Sequence, residues 1–171
     1  MIRNDIFTTP LWRIEGAPQQ LVDELYQGAY KFKEKYPSET KSNEGGYQTP
    51  TFDWKSFHPQ GIEYVDKVIG NIFPFQIESW WYNINGKGHW NQPHTHPDSD
   101  FALVWYLTDS DSLLQLINPF PQRNFANKGG HISVDAKKGD ILMFPSDINH
   151  YVKPNQRDTD RVSISMNLQL C

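Results

Sequence analysis

The sequence has almost no cysteine, no long apolar run and no block of basic residues. Cys171 is the single cysteine, which excludes an intramolecular disulfide and a cysteine-ligated zinc site. No apolar run approaches the length of a membrane span, and residues 1–12 lack the apolar core of a secretion signal. We therefore expect a cytoplasmic protein with no membrane partner.

Positive charge is also scarce, because the sequence has 16 basic and 20 acidic residues and a net charge of -4. The densest basic stretch, Lys31–Lys35, is short and is typical of a solvated helix face. A nucleic-acid-binding domain usually carries a basic patch, so the sequence gives no support for direct nucleic-acid binding. It leaves open whether the chain forms a homodimer.

Aromatic residues and turn formers are abundant. Aromatic residues make up 14% of the chain, and 12 prolines and 11 glycines imply many turns. Residues 1–16 are expected to hold an edge strand, and two helices are predicted, from Pro18 to about Lys35 and from Pro59 to about Gly70. The polar stretch 37–58 between the helices is predicted to be a long loop.

Short strands are predicted after residue 73. They are Phe75–Asn85, Gln92–His96, Phe101–Thr108, Leu113–Ile117, His131–Val134, Asp140–Phe144, Tyr151–Val152 and Arg161–Leu170. Short strands that follow two helices indicate a β-sandwich or barrel with the helices packed outside. We expect one domain over residues 1–171, with the strand, helices and loop in 1–72 and the β core in 73–171.

Strict alternation of polar and apolar residues marks the last of these strands. In 161–168 the odd positions are all polar and the even positions all apolar, so one face lines a wet or ligand-filled pocket or is simply exposed to solvent. The other face is expected to pack on the helices. In the apolar run 101–107, a period of two separates Val104 and Tyr106 from Leu103, Trp105 and Leu107. We expect Val104 and Tyr106 on the inner face, which is chosen only by analogy from the candidate ligand histidines.

Three histidines form a candidate metal site. His94 and His96 are two positions apart, so on a strand their imidazoles would point the same way. His150 follows a second apolar run, and two near ligands with one distant ligand are common for a mononuclear site in a β-barrel. The alternative is that these are ordinary surface histidines or hydrogen-bonded core histidines.

Arg161 and Ser163 suggest what such a site binds beside a metal. Three imidazoles suit Fe(II), although Zn, Ni and Cu also accept them. An inward guanidinium can hold a carboxylate with two hydrogen bonds, and a serine hydroxyl can add one more. A metal beside a carboxylate anchor is the arrangement that a chelating keto acid requires.

Several segments occur in an order and spacing that are shared with a known family. They are Phe7–Trp12, Ser42–Tyr47, Trp81–Asn85, His94–Pro97, Trp105–Leu107, Gly139–Ser146, His150 and Arg161–Ser165. With them the chain resembles the Fe(II)/2-oxoglutarate-dependent oxygenases, in particular a group of small oxygenases of bacteria and their phages. The resemblance covers nearly the whole chain.

The resemblance implies a double-stranded β-helix, or jelly roll, with the N-terminal helices on its outer face. It implies a dioxygenase that uses Fe(II), 2-oxoglutarate and dioxygen, and that hydroxylates an unknown substrate with release of succinate and CO2. His94 and His150 match two metal ligands of the family. Arg161 and Ser163 match the pair that holds the distal carboxylate of 2-oxoglutarate, and Tyr106 matches a tyrosine that often joins them.

The chain departs from the family at His96, where the wider superfamily has Asp or Glu. We predict that His96 is the third metal ligand, because its spacing from His94 puts both rings on one strand face. Asp98 and Asp100 are the alternatives, but Pro97 is expected to turn the chain before them. The stretch Ser42–Phe57, with Tyr47, Phe52 and Trp54, is a candidate cover for the pocket.

The main alternative is a cupin-type metal-dependent isomerase or dioxygenase that does not use 2-oxoglutarate. Its motifs are matched in part by Gly88, His94, His96, Asp100, Gly139, Pro145 and His150. Cupins share the jelly roll, so only the site separates the two, and the Arg161–Ser163 pair favours the oxygenase. A jelly-roll binding protein or virion-associated protein with a vestigial site is a third alternative.

Overall fold

A computed structural model describes residues 8–111, 114–120 and 130–171, and these contain two α-helices followed mainly by β-strands. The helices are α1 (Gln19–Lys35) and α2 (Pro59–Ile69). The early strands are β1 (Trp12–Ile14), β2 (Asn43–Glu44), β3 (Tyr47–Gln48) and β4 (Phe52–Asp53). The later strands are β5 (Phe75–Asn85), β6 (Trp90–His94), β7 (Phe101–Tyr106), β8 (Leu114–Ile117), β9 (His131–Val134), β10 (Ile141–Pro145), β11 (His150–Val152) and β12 (Arg161–Leu170).

Within the described ranges, the strands form two antiparallel sheets. The larger sheet has the order β1-β10-β7-β12-β5-β3, with β4 also paired to β5, and the smaller has the order β2-β6-β11-β8-β9. The helices pack against the larger sheet. The mainly β architecture, with a jelly roll and the N-terminal helices on its outer face, is therefore confirmed.

The core between the helices and the larger sheet is rich in aromatic side chains. Leu25 and Ala29 of α1 are fully buried there, at the helical spacing that the sequence predicts. The Phe32 ring lies 5.4 Å from Trp80 and 5.5 Å from Tyr82, measured between ring centroids and with edge-to-face geometry. Most of the aromatic content thus stabilises the attachment of the helices to the sheet.

The side chains of β7 and β12 point to the faces that were predicted. Leu103, Trp105 and Leu107 belong to the outer core, whereas Val104 and Tyr106 face the space between the sheets. In β12 the even positions 162–168 pack in the same outer core. Arg161, Ser163 and Ser165 line a pocket on the inner face, so this polar face is not an exposed one.

The prediction of a plain loop over 37–58 is wrong. This stretch forms β2, β3, β4 and a 3-10 turn at Trp54–Ser56, because it pairs with β6 of the smaller sheet and then with β5 of the larger sheet. Tyr47 and Phe52 pack on the helical core, and the Tyr47 hydroxyl donates to the carbonyl oxygen of Tyr36 at 3.1 Å. The expected cover of the pocket by Tyr47 and Phe52 is therefore also wrong, and Trp54 is 41% exposed.

The remaining differences concern strand ends. The predicted strand Gln92–His96 is observed as Trp90–His94, so His96 lies beyond its end. The predicted edge strand is observed as β1 at the edge of the larger sheet, although residues 1–7 lie outside the described residues, as does Leu113. No described helix is both long enough and apolar enough to cross a membrane.

We predict that Leu25→Ala lowers the free energy of unfolding by about 2–5 kcal/mol, because it leaves a cavity in the closed core under α1. Gln27→Ala on the exposed side of the same helix is the matched control. Urea unfolding followed by circular dichroism measures both variants. Equal losses in the two variants would show that the α1 contact with the sheet is not a stabilising core.

Candidate metal centre

The three histidines predicted as a metal site come together between the two sheets. His94 ends β6 and His150 begins β11, and the two residues are directly paired across the smaller sheet. One ring nitrogen from each of His94, His96 and His150 lies within 4.8 Å of the others. The ring centroids of His94 and His150 are 4.3 Å apart, and His96 lies 5.2 Å and 5.1 Å from them.

His96 reaches this cluster although it lies past the end of its strand. Its backbone N–H donates to the carbonyl oxygen of Ser146 at 2.9 Å, which ties the chain to the end of β10. The chain then turns at Asp98, whose φ of 68° is a left-handed conformation. The predicted turn after Pro97 is thus present, and it follows the last histidine of the pair.

Hydrogen bonds fix the tautomer of two of the three rings. Nδ1 of His94 lies 2.7 Å from the carbonyl oxygen of Gln92, and Nδ1 of His150 lies 2.8 Å from that of Ile148. A carbonyl oxygen only accepts hydrogen bonds, so each Nδ1 must carry the proton. Nε2 then keeps its lone pair, which is the form that binds a metal ion.

Burial keeps these imidazoles neutral. It lowers the pKa of His94, it lowers the pKa of His96 to about 4, and it lowers the pKa of His150 to about 3. A cation removed from water loses hydration energy, which disfavours the protonated ring. Metal ligands must be deprotonated, so the three rings have the right protonation state at neutral pH.

The two alternative ligands lie elsewhere. Asp98 is exposed, and Asp100 accepts a hydrogen bond from the backbone N–H of Leu170 at 2.8 Å through its Oδ2 atom. Across residues 8–111, 114–120 and 130–171, the three histidines are the only group of three or more potential metal-binding side chains. The observed geometry thus contains no carboxylate at the position where the superfamily has one.

The other predicted site residues line the same pocket. Arg161 and Ser163 stand on the inner face of β12, and Ser163 pairs directly with Tyr106 of β7. Arg161 is only 3% exposed, and burial lowers its pKa to about 10, so it is still a cation at neutral pH. Its guanidinium donates to the carbonyl oxygen of Lys153 at 3.1 Å and to Oδ1 of Asn91 at 3.3 Å.

Among the described residues, no carboxylate oxygen lies within salt-bridge distance of the Arg161 guanidinium, although the charge of Asp111 acts on it from farther away. The acceptors of the guanidinium are a backbone carbonyl and a side-chain amide, which are both neutral. A buried charge is costly unless it is paired. The pocket is therefore suited to an anion that arrives from outside the protein.

Sequence reasoning missed several polar residues of this pocket. They are Ser42, Asn83 and Asn91. Asn91 is central among them, since Oδ1 accepts from Arg161 and Nδ2 donates to the Ser42 hydroxyl at 3.3 Å. The period-two phase of β5 could have found Asn83, because Trp81, Asn83 and Asn85 share one parity.

Comparison with known proteins gives one family match. Residues 79–167, which are 89 of the 171 residues, match the family described as "Putative 2OG-Fe(II) oxygenase". This segment runs from β5 to β12 and contains the three histidines, Tyr106, Arg161 and Ser163. No relative was found among curated proteins.

Solved structures of similar fold include a prolyl-4-hydroxylase from Pseudomonas putida. It is 17% identical with a TM-score of 0.68, and the match covers 96% of this chain and 94% of that one. HygX from Streptomyces hygroscopicus, solved with nickel and 2-oxoglutarate bound, is 13% identical with a TM-score of 0.69 over 95% of this chain and 84% of that one. A viral collagen prolyl hydroxylase from Paramecium Bursaria Chlorella virus-1, in complex with 2-oxoglutarate, is 14% identical with a TM-score of 0.61 over 94% and 96% of the two chains.

At these identities the solved structures support the jelly-roll fold, and the family match extends over more than half of the sequence. The donor set fits the cofactor of that family, since three neutral imidazoles share a pocket with a buried cation that has no carboxylate in direct contact. The chain therefore belongs to the 2OG-Fe(II) oxygenase family and is an oxygenase that depends on Fe(II) and 2-oxoglutarate.

Proposed function

We propose that this chain is a dioxygenase whose iron is held by three neutral histidines and whose 2-oxoglutarate is anchored by the inner face of β12. The metal ligands are His94, His96 and His150. The anchor is Arg161, assisted by Ser163 and Tyr106. The products are a hydroxylated substrate, succinate and CO2.

The observation that carries this proposal is the common pocket of the histidine cluster and the buried Arg161. A guanidinium presents two parallel N–H donors that match a carboxylate. An anion that enters the pocket would pair a desolvated cation that has no carboxylate in direct contact. A keto acid dianion carries one group for the guanidinium and a chelating pair for the metal, and both partners line the same pocket.

Tyr106 and Ser163 complete the carboxylate site as hydrogen-bond donors. Burial raises the pKa of Tyr106 to about 12, so the phenol keeps its proton at neutral pH. The two residues are cross-strand partners, which places both side chains on the inner face beside Arg161. Both hydroxyls can therefore donate to an anion without any change of protonation.

The charge of the metal site supports the same cosubstrate. Three imidazole ligands are neutral, so a divalent ion keeps both positive charges, whereas a carboxylate ligand would cancel one of them. When bound, iron and 2-oxoglutarate supply the oxidative chemistry: one oxygen atom of O2 ends in succinate, the other ends in the hydroxylated substrate, and CO2 leaves. The apolar lining of Val104, Leu114 and Val152 limits the entry of water.

The test of this function is made on the iron-loaded protein. Anaerobic calorimetry measures 2-oxoglutarate binding, and admission of air then allows succinate to be quantified. We expect binding and succinate that both require Fe(II). If the folded, iron-loaded protein neither binds 2-oxoglutarate nor forms succinate, the dioxygenase is excluded and a cupin-type activity without 2-oxoglutarate replaces it.

The similar solved structures suggest which substrate class to test first. Two of the similar structures are prolyl hydroxylases, so a proline-containing peptide is the first candidate to add to the succinate assay. Stimulation of succinate release and a mass gain of one oxygen atom in the peptide support a prolyl substrate. No stimulation directs the search to other side chains, nucleic acids and small metabolites.

We predict that Arg161→Ala weakens 2-oxoglutarate binding by about 2–5 kcal/mol while metal affinity changes little, because a desolvated charge pair is lost. Lys87→Ala is the control for loss of a positive charge, since that lysine is exposed and pairs with Asp158 at 2.7 Å. Calorimetric titration of each iron-loaded variant gives the dissociation constants. Equal 2-oxoglutarate affinity in Arg161→Ala and the parent would remove Arg161 from the site.

We predict that His96→Ala loses most of its bound iron, whereas Asp98→Ala and Asp100→Ala keep it, because only the histidine reaches the cluster. Elemental analysis after gel filtration measures the iron content of each protein. Asp100 also caps the backbone of Leu170, so circular dichroism checks that this variant is folded. Iron that stays in His96→Ala and is lost from an aspartate variant would replace the three-histidine site by a carboxylate site.

A further inference from the structure

The third histidine is held in a different way from the other two. His94 and His150 each use the carbonyl oxygen of the residue two positions earlier, which is a local contact along the chain. His96 lies beyond the end of β6, and its Nδ1 atom meets Oδ1 of Asn167 at 2.6 Å instead. The orientation of this ring therefore depends on a residue 71 positions away on β12.

Asn167 lies beside an irregularity in the larger sheet. It pairs with Ser79 of β5, but the next residue, Leu168, pairs with Ile77, so Glu78 is left over as a bulge. A bulge bends the strand and changes the direction of nearby side chains, and bulges are common beside active sites. Asn167 has the same parity as Arg161 and Ser163, so one face of β12 carries all three.

A second contact holds the His96 ring from its face. Trp81 of β5 stacks on it with a centroid distance of 5.5 Å and an interplanar angle of 25°. Trp81 fixes the plane of the ring, but a stacked ring pair does not select a tautomer. The hydrogen bond to Asn167 is thus the contact that decides which nitrogen of His96 carries the proton.

We propose that Asn167 is a positioning residue for the metal centre: its amide oxygen accepts the Nδ1–H of His96 and keeps the Nε2 lone pair available to the ion. This inference rests on the proposed function, because it requires His96 to be a ligand. If the amide were reversed, its N–H would donate to Nδ1 and the proton would move to Nε2, where it blocks metal binding.

The amide has a property that a carboxylate would not have at this place. It is a neutral acceptor, so it orients His96 without adding a negative charge next to the metal. The three ligands and the group that orients the third are then all neutral. One strand face thus supplies both the cation proposed to anchor the keto acid and the hydrogen-bond acceptor that orients the third ligand.

The first experiment examines the metal-free protein by 15N NMR of the histidine rings. We expect His96 in the parent to show a protonated Nδ1 and an unprotonated Nε2. In Asn167→Leu, which keeps the side-chain size without the acceptor, we expect a mixture of tautomers. In Asn167→Asp, which restores an acceptor, we expect a protonated Nδ1 again. A protonated Nε2 in the parent overturns the proposal.

The second experiment titrates Co(II) into the metal-free proteins by calorimetry. We expect Asn167→Leu to bind about 10- to 100-fold more weakly than the parent, as is typical when the hydrogen-bond partner of a ligand histidine is lost. Asn167→Asp is expected to retain at least the parent affinity. Gln169→Leu, the same kind of change two residues further along the same strand face, is the control and is expected to bind as the parent does.

The two proposals fail in different ways. Parent affinity for Co(II) in Asn167→Leu, in a protein whose parent still binds 2-oxoglutarate, overturns only the role of Asn167. Failure of the dioxygenase shows in the parent itself, as absent 2-oxoglutarate binding and absent succinate. If Asn167→Leu does not fold, the tautomer of His96 in the parent still decides, because that measurement needs no variant.

Discussion

The alternation of β12 is the constraint on which both the core and the pocket depend. This strand lies between β7 and β5 in the larger sheet, so its two faces meet different surroundings along ten residues. The even positions enter the apolar core under the helices, and Arg161, Ser163 and Asn167 face inward. A shift of one residue in the register would bury the cation among the helices and expose the apolar side chains to the metal.

The aromatic side chains of the core between the helices and the larger sheet keep that register in place. Trp105 is fully buried and stacks on Tyr64 of α2 with 5.3 Å between ring centroids, and its neighbour Tyr106 must therefore point to the other side. Large rings tolerate little displacement in a close-packed interior. The helices thus act on the site indirectly, because they hold the outer face of the strands whose inner face forms the pocket.

Much of this could be predicted from local patterns. The sequence pattern predicts the bounds of β5 and β12 and both helices, and the histidine spacing indicates the cluster. A period of two separates Tyr106 from Trp105, but the choice of the inner face rests on analogy. Strands β2, β3 and β4 could not be predicted, because their short polar sequences carry no alternation and are strands only through pairing with β6 and β5. The Asn167 contact with His96 likewise joins residues 71 positions apart, and no local sequence signal encodes it.

The desolvated polar groups of the pocket destabilise the folded chain, and bound ligands would offset this destabilisation. Without them it contains a desolvated guanidinium and three desolvated imidazoles, whose lowered pKa values reflect the loss of hydration of the charged forms. The packed core on the other face of β12 supplies the stabilisation that keeps these groups in place. A metal ion and a dianion bind the folded chain through groups that the unfolded chain does not bring together, so their binding also stabilises the fold. β12 has the core on one face and the pocket on the other. It therefore couples the stability of the core to the binding of metal and dianion in the pocket.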